Sequence, residues 1–270
     1  MKWIGSKNSI APLVTSHFPK KIDTYYEPFA GGAKIFFYLL QHPNLFSIDK
    51  FVISDINSEL IQIYQIVKDS PFKLIKSYSE NWQLFSKNKE HYYEVRLEYN
   101  KTKNPLLLYF LTRTSINGLI RYNSKGEFNS AHHPRRQGMQ PDKIEKIILY
   151  YNKLLNNVNV QFLESSFDQI KVLNNKDVVY LDPPYTNSGD LYGSFFNTNS
   201  LFSWIESLPC SWFLNLNAIS GSDNNEIIIP LTYDEKKQLF SGKSYYRKVS
   251  NQKEVNTYDY FYFKLKGLND

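Results

Sequence analysis

Between Thr24 and Leu40 the sequence switches from strand character to helix character through a glycine turn, and this limits the fold more than any other feature. Thr24-Tyr25-Tyr26-Glu27 reads as a strand, Ala30-Gly31-Gly32-Ala33 as a tight turn and Ile35 to Leu40 as an apolar helix. A strand that feeds a helix this way opens a parallel α/β unit. A second strand, Phe51-Val52-Ile53-Ser54, stops at Asp55; Leu60, Ile63, Tyr64 and Val67 then share one face of a helix from Ser58 to Val67. Strand signals return at Asp177-Val178-Val179-Tyr180-Leu181, at Trp212 to Leu216 and at Tyr258 to Leu265. From Pro71 to Tyr150 the character differs. Helical segments (Tyr92 to Tyr99, Leu106 to Thr112) flank the polar turn Asn123-Ser124-Lys125-Gly126-Glu127. The alternation predicts one doubly wound α/β core, residues 1–70 and 151–270, interrupted by a mainly helical insertion at 71–150.

Such a sheet binds ligands beyond the carboxyl ends of its strands, and two motifs fall there. The first is Glu27-Pro28-Phe29-Ala30-Gly31-Gly32-Ala33, whose small residues let a ligand approach the backbone. It is neither the Gly-x-Gly-x-x-Gly dinucleotide fingerprint nor a phosphate loop ending in Gly-Lys-Ser/Thr. A plain tight turn reads equally well from these residues alone. The second motif, Asp182-Pro183-Pro184-Tyr185, follows directly on the apolar run Val178 to Leu181. Consecutive prolines lock φ and remove backbone donors, so the turn offers carbonyl acceptors only. A carboxylate and a fixed carbonyl can take both N–H bonds of an exocyclic amine whose lone pair is delocalised into a ring. The adjacent tyrosine offers a flat face for stacking. Asp55 stands where an acidic residue grips ribose hydroxyls in nucleotide-binding folds, although an Asp there could equally cap the next helix.

Charge adds a partner. The chain has a formal net charge of +6, and aromatic residues make up 16% of it, including 21 tyrosines. Between Tyr99 and Lys143 stand Lys101, Lys103, Arg113, Arg121, Lys125, Arg135, Arg136 and Lys143, against only Glu127 and Asp142. With Tyr109, Tyr122 and Phe128 interleaved, this stretch reads as a nucleic-acid face; the alternative is a solvated basic surface. His132 and His133 lack cysteine or acidic partners at ligand spacing, so no metal is expected. Cys210 is the sole cysteine, which excludes an intramolecular disulfide, and no apolar run is long enough to cross a membrane. Met1-Lys2-Trp3-Ile4-Gly5 lacks the apolar core of a signal peptide, so a cytoplasmic location is expected.

Taken in order, these residues resemble the Dam-like DNA adenine methyltransferases, in which a cofactor motif, a target-recognition insertion and a catalytic motif follow one another. The resemblance runs through Trp3-Ile4-Gly5-Ser6-Lys7, Glu27 to Gly32, Ser54-Asp55-Ile56-Asn57, Asn117 to Asn123, Gly126-Glu127-Phe128-Asn129 and Val179 to Tyr185. It implies a Rossmann-like core that uses S-adenosylmethionine to methylate the N6 amine of an adenine flipped from double-stranded DNA. By this analogy Trp3, Lys7, Pro28, Ala30, Gly31, Gly32, Asp55, Ile56, Phe167 and Asp182 would contact the cofactor. Asp182, Pro183, Pro184 and Tyr185 would serve catalysis. Arg113, Asn117, Arg121, Asn123, Lys125, Arg135 and Arg136 would meet DNA. Such enzymes serve restriction–modification, with a cognate restriction endonuclease as functional partner, or the marking of phage or host DNA, and the sequence does not choose between the two.

Three departures stand out. The glycines of the first motif are adjacent, with Lys34 where a Ser is usual. Ser130-Ala131-His132-His133-Pro134 replaces the Pro-Phe-Gly-like turn of GATC-specific relatives, which argues against GATC. Ser166 stands where an Asp usually precedes the aromatic at Phe167. Two other readings fit the same motifs: a methyltransferase of RNA or of protein glutamine, and a DNA-binding protein on a silent methyltransferase fold.

Overall fold

The computed structural model describes the backbone at 10–118, 120–184, 197–220, 223–224, 228–246 and 253–266, with side chains except at 117, 217–220, 223–224, 242–246 and 253–255. In chain order the elements are α1 (Ala11–Thr15), β1 (Lys21–Glu27), α2 (Lys34–Gln41), β2 (Ser47–Asp55), α3 (Ser58–Asp69), α4 (Pro71–Lys87), α5 (His91–Thr102) and α6 (Pro105–Thr114). Then follow α7 (Pro141–Asn156), β3 (Val160–Glu164), β4 (Val178–Leu181), α8 (Thr198–Ser207), β5 (Ser211–Ser220), β6 (Asp223–Asn224), β7 (Glu235–Tyr246) and β8 (Lys253–Lys264). They fall into two compact units, a sheet unit (10–54, 165–184 and the described residues from 197 on) and a helical unit (55–164).

In the sheet unit the strands run in the order β2-β1-β4-β5-β8-β7, with β6 beside β5. The first four are mutually parallel; β8 and β7 are antiparallel. From β1 the chain passes through α2 to β2 on one side, and later returns to β4 on the other. That reversal makes the carboxyl ends of β1 and β4 a topological switch point, where open α/β sheets bind ligands. Val178, Val179, Tyr180 and Leu181 are all buried, the near-continuous apolar run of a parallel strand covered on both faces.

One face packs Val179, Leu181, Trp212, Leu214 and Tyr262 against Leu201, Phe202 and Ile205 of α8 and against Phe167. The other is an aromatic cluster: Phe18 lies 4.4 Å from Phe213 and 6.0 Å from Tyr25, and Phe36 lies 5.2 Å from Phe51. Burial of such large rings supplies most of the hydrophobic driving force.

The helical unit extends beyond the 71–150 stretch on both sides: α3 and β3 belong to it, and α7 runs straight through residue 150. Its centre is α6, with Leu108, Tyr109, Phe110 and Leu111 buried, packed against α3, α4 and α5. Tyr78, Phe85, Tyr92 and Tyr99 are fully buried around it.

A buried tyrosine needs an acceptor for its hydroxyl, and here the long segment between α6 and α7 provides several. Tyr78 donates to the Met139 carbonyl and Tyr92 to that of Ser130 (3.0 Å), while the Trp82 indole donates to Gln137 O (2.8 Å). Asn100 pairs with Phe128 like a strand neighbour, accepting from its N–H at 2.8 Å and donating to its carbonyl at 3.1 Å. These contacts correct one expectation. Tyr109 and Phe128, read from sequence as part of a stacking surface, are 3% and 1% exposed. Part of the tyrosine excess fills the core and pins a loop.

Candidate active site

Glu27 ends β1 with its side chain buried, and the turn after it has two residues at positive φ, Gly31 at 44° and Ala33 at 48°. The Ala30 N–H donates to Ser54 O (2.9 Å), tying the turn to β2. Ala33 occupies the N-cap of α2 but has no side-chain acceptor. Glu27 takes that role from the strand: its Oε2 accepts the Phe36 N–H at 3.0 Å and the Tyr25 hydroxyl at 2.8 Å. Burial pushes its carboxyl up to about 8, opposed by those two hydrogen bonds and reinforced by the charge of Asp182. Pro28 and Ala30 are buried, whereas Gly31 and Gly32 keep part of their surface open.

At the switch point Asp182 leaves β4 half-buried, followed by buried Pro183 and half-buried Pro184. Register carries the geometry further. Glu27 follows the Tyr26–Val179 pair and so lies level with Tyr180; Asp182 follows the Leu181–Leu214 pair and so lies level with Asn215. Asn215 faces Phe261 across β8, whose same-face neighbour is Asp259. Four adjacent strands thus present Glu27, Asp182, Asn215 and Asp259 on one face near one end of the sheet. Asn215 Nδ2 stands 3.4 Å from Asp182 Oδ1 and 3.1 Å from Asp259 Oδ2. On the opposite face Phe167, 8% exposed, lies 5.5 Å from Phe29 and 5.7 Å from Trp204.

The helical unit begins at Asp55, the last residue of β2. Asn57, not Asp55, caps α3: its side chain accepts the Leu60 N–H at 2.7 Å, while Asp55 Oδ1 accepts the Asn57 N–H at 2.9 Å. Ile56 between them is 60% exposed. Farther along, Tyr122 and Phe128 close a turn in which the Asn123 Oδ1 accepts from Lys125 N and Glu127 N, both at 3.0 Å, and its amide donates to Glu127 Oε2 at 2.8 Å. The Asn123 side chain is therefore occupied by its own turn. Arg121, Lys125, Arg135 and Arg136 are exposed; Arg121 keeps one contact, Nε to Asn129 Oδ1 at 2.8 Å. Arg113 does not join them. It lies half-buried with Nη2 3.4 Å from the Met139 sulfur.

His132 packs among Phe85, Tyr92 and Tyr93, and no metal-ligating cluster occurs among the described residues. Trp3, Lys7, Tyr185 and the Asn117 side chain lie outside the described residues. The sequence reading did not single out Glu27, Asn215 or Asp259 as site residues. Asn215 and Asp259 each had a signal, a lone amide inside the apolar run Trp212 to Leu216 and a lone carboxylate inside the aromatic strand from Tyr258, but only strand pairing brings the two together.

A doubly wound sheet with a glycine turn after β1 and an Asp-Pro-Pro turn after β4 defines a Rossmann-like methyltransferase. The particular family follows from comparison: the profile of D12 class N6 adenine-specific DNA methyltransferases matches residues 3–207. The chain belongs to that family and is an adenine-specific DNA methyltransferase. It is 36% identical to the type II methyltransferase M.MjaIII of Methanocaldococcus jannaschii, the match covering 68% of each chain. It is 31% identical to the type II methyltransferase M1.LlaDCHI of Lactococcus lactis over 68% of this chain and 64% of that one. To the DNA adenine methylase of Escherichia coli K12 it is 30% identical, over 74% of this chain and 69% of the relative.

Proposed function

We propose that the enzyme carries a methyl group from S-adenosylmethionine to the N6 amine of an adenine flipped out of double-stranded DNA. The observation that carries this reading is Asp182-Pro183-Pro184 at the carboxyl end of β4, beside the β1 turn. The donor set suits the cofactor: Asp182 for a cationic group, Pro28, Ala30, Gly31 and Gly32 for close backbone approach, Asp55 for ribose hydroxyls, Ile56 and Phe167 for an aromatic base. Trp3 and Lys7 complete this assignment by family resemblance. S-adenosylmethionine, when bound, supplies an electrophilic methyl group on a positively charged sulfur.

The chain itself holds the amine. Asp182 and the Pro183 carbonyl accept its two N–H bonds, localising the nitrogen lone pair in line for attack; Pro184 fixes the turn and Tyr185 stacks on the base. The new N–C bond would form as the sulfur–methyl bond breaks and a neutral thioether leaves, and the surplus amine proton would pass towards Asp182. Positioning and local electrostatics account for the acceleration, and no covalent enzyme intermediate is involved.

In the same reading the helical unit is the target-recognition part, with Arg121, Lys125, Arg135 and Arg136 on DNA, joined by Asn117 by family resemblance, while Asn123 shapes the turn beside Arg121 and Arg113 packs behind the face. A restriction endonuclease of the same specificity is the functional counterpart, and the cytoplasm the place of action.

Transfer of labelled methyl to unmethylated genomic DNA, followed by nucleoside analysis, tests the reading. Label in N6-methyladenine with wild type and none with Asp182→Ala is the expected result. Label in RNA or protein but not in DNA overturns it.

A further inference from the structure

Behind Asp182 lies a polar arrangement beyond residue 207, where the family match ends. Asn215 is fully buried within β5, between Leu214 at 0% and Leu216 at 9% exposure, and Asp259 on β8 is 2% exposed. The single amide nitrogen of Asn215 reaches both the Asp182 and the Asp259 carboxylates. That nitrogen carries two hydrogens, so it can donate one to each. The flipped amide would set a carbonyl oxygen against two anions, so chemistry fixes the orientation. An amide and a carboxylate buried in an apolar sheet cost stability that a hydrophobic pair of similar volume would not. A core alone has no use for them; a carboxylate that must be held in one orientation does.

We propose that Asn215, anchored by Asp259, is a positioning residue for methyl transfer. It engages Asp182 Oδ1 from behind and so turns the other carboxylate oxygen towards the amine. The proposal rests on Asp182 receiving that amine. The 3.4 Å arm to Asp182 is long, and catalytic contacts of this kind tighten once substrate is bound. Among the described residues, the titratable groups facing Asp182 include Glu27 of β1, with the Tyr25 hydroxyl bonded to it, and Asp259 of β8 behind the amide.

The test is the pH dependence of kcat in the full-length enzyme, with KM for DNA and calorimetric cofactor affinity measured alongside. Asn215→Leu should lower kcat by about 10- to 100-fold with KM for DNA little changed, the scale expected of a misplaced catalytic group. Its acid limb should move to higher pH, because loss of a donor and gain of an apolar neighbour both favour the protonated carboxyl. Asp259→Asn weakens the anchor and should lower kcat, by less than Asn215→Leu does, while moving the same limb to lower pH, since a like charge has gone. Asn215→Ser restores a donor and should recover part of the lost rate; it also serves if the leucine variant does not fold.

Opposite displacements of one limb are not what loss of structure produces. Wild-type kcat and an unmoved limb in the Asn215 and Asp259 variants, beside an inactive Asp182→Ala, overturn the proposal alone. An active Asp182→Ala overturns the assignment of Asp182, and the proposal with it.

Discussion

A helix that starts at Lys34 leaves its first N–H groups without partners, and the alanine before it has nothing to offer them. Glu27 answers that need from six residues upstream of the cap, at the cost of burying a carboxyl whose affinity for a proton rises to about 8. The folded state therefore holds a proton that the unfolded chain releases near the ordinary carboxylate value. Stability from this group is complete below about 4.5 and is lost as pH rises through about 8. Glu27→Gln keeps an acceptor for Phe36 and removes the titration. It should raise the Tm relative to wild type at pH 9 and leave the two alike at pH 4, as read by thermal melts across pH. Little of this could be seen in the sequence. Asp182 was legible because prolines announce it, but Glu27 is one acidic residue among many until β1 and α2 close around it.

At the level of elements, legibility followed burial. β2, β4 and the first half of β5 were visible as apolar runs because they lie inside the sheet, and β1 by its tyrosine pair ahead of the glycine turn. β7 was not: it begins Glu235-Lys236-Lys237-Gln238, an edge strand with a polar surface. The helical spacing of α4 was missed because its buried set, Leu74, Tyr78 and Phe85, is sparse and partly tyrosine. The same tyrosines misled the reading of the insertion, since a ring bound for the core cannot be told from one bound for a base by composition. Asn57 shows how one cap joins two tasks: it starts α3, and its N–H is held by the Asp55 carboxylate. Tyr122 beside the Asn123 turn shares a hydrogen bond with Tyr99 (3.1 Å), whose hydroxyl reaches Glu59 in the first turn of the same helix at 3.4 Å. Asn57→Ala should cost about 1 kcal/mol in denaturant melts, the usual worth of an N-cap. The Asp55 contact is to a backbone N–H that this variant keeps, so Asp55→Ala is the separate test of the cofactor assignment: it should weaken S-adenosylmethionine binding, and unchanged affinity would remove Asp55 from that assignment.

For the whole molecule, the two units divide the work that the proposed function requires. The sheet unit carries Asp182 and the glycine turn, and the helical unit carries Asp55 and the exposed cations Arg121, Lys125, Arg135 and Arg136. With four such contacts to phosphate, the logarithm of DNA affinity should fall against that of salt concentration with a slope of about −4. Fluorescence anisotropy over a salt series measures it, and a flat response would move the DNA face elsewhere. Arg121→Ala should make that slope shallower by about 1 and leave cofactor affinity unchanged; equal loss of both would place Arg121 in the cofactor site instead.

β7 ends the strand order, and among the described residues its far side has no neighbour within the sheet. A bare ladder of amides is an invitation to any passing strand, including that of another copy of the enzyme. Lys236 lies over the Tyr260 ring at 3.9 Å, and Lys237 holds Glu235 at 3.3 Å, so charge is fixed along the first half of that border. An incoming strand would have to strip water from those groups before gaining a hydrogen bond, the device by which natural sheets discourage aggregation. The residues that hid this strand from a sequence reader are the ones that keep crowded copies apart.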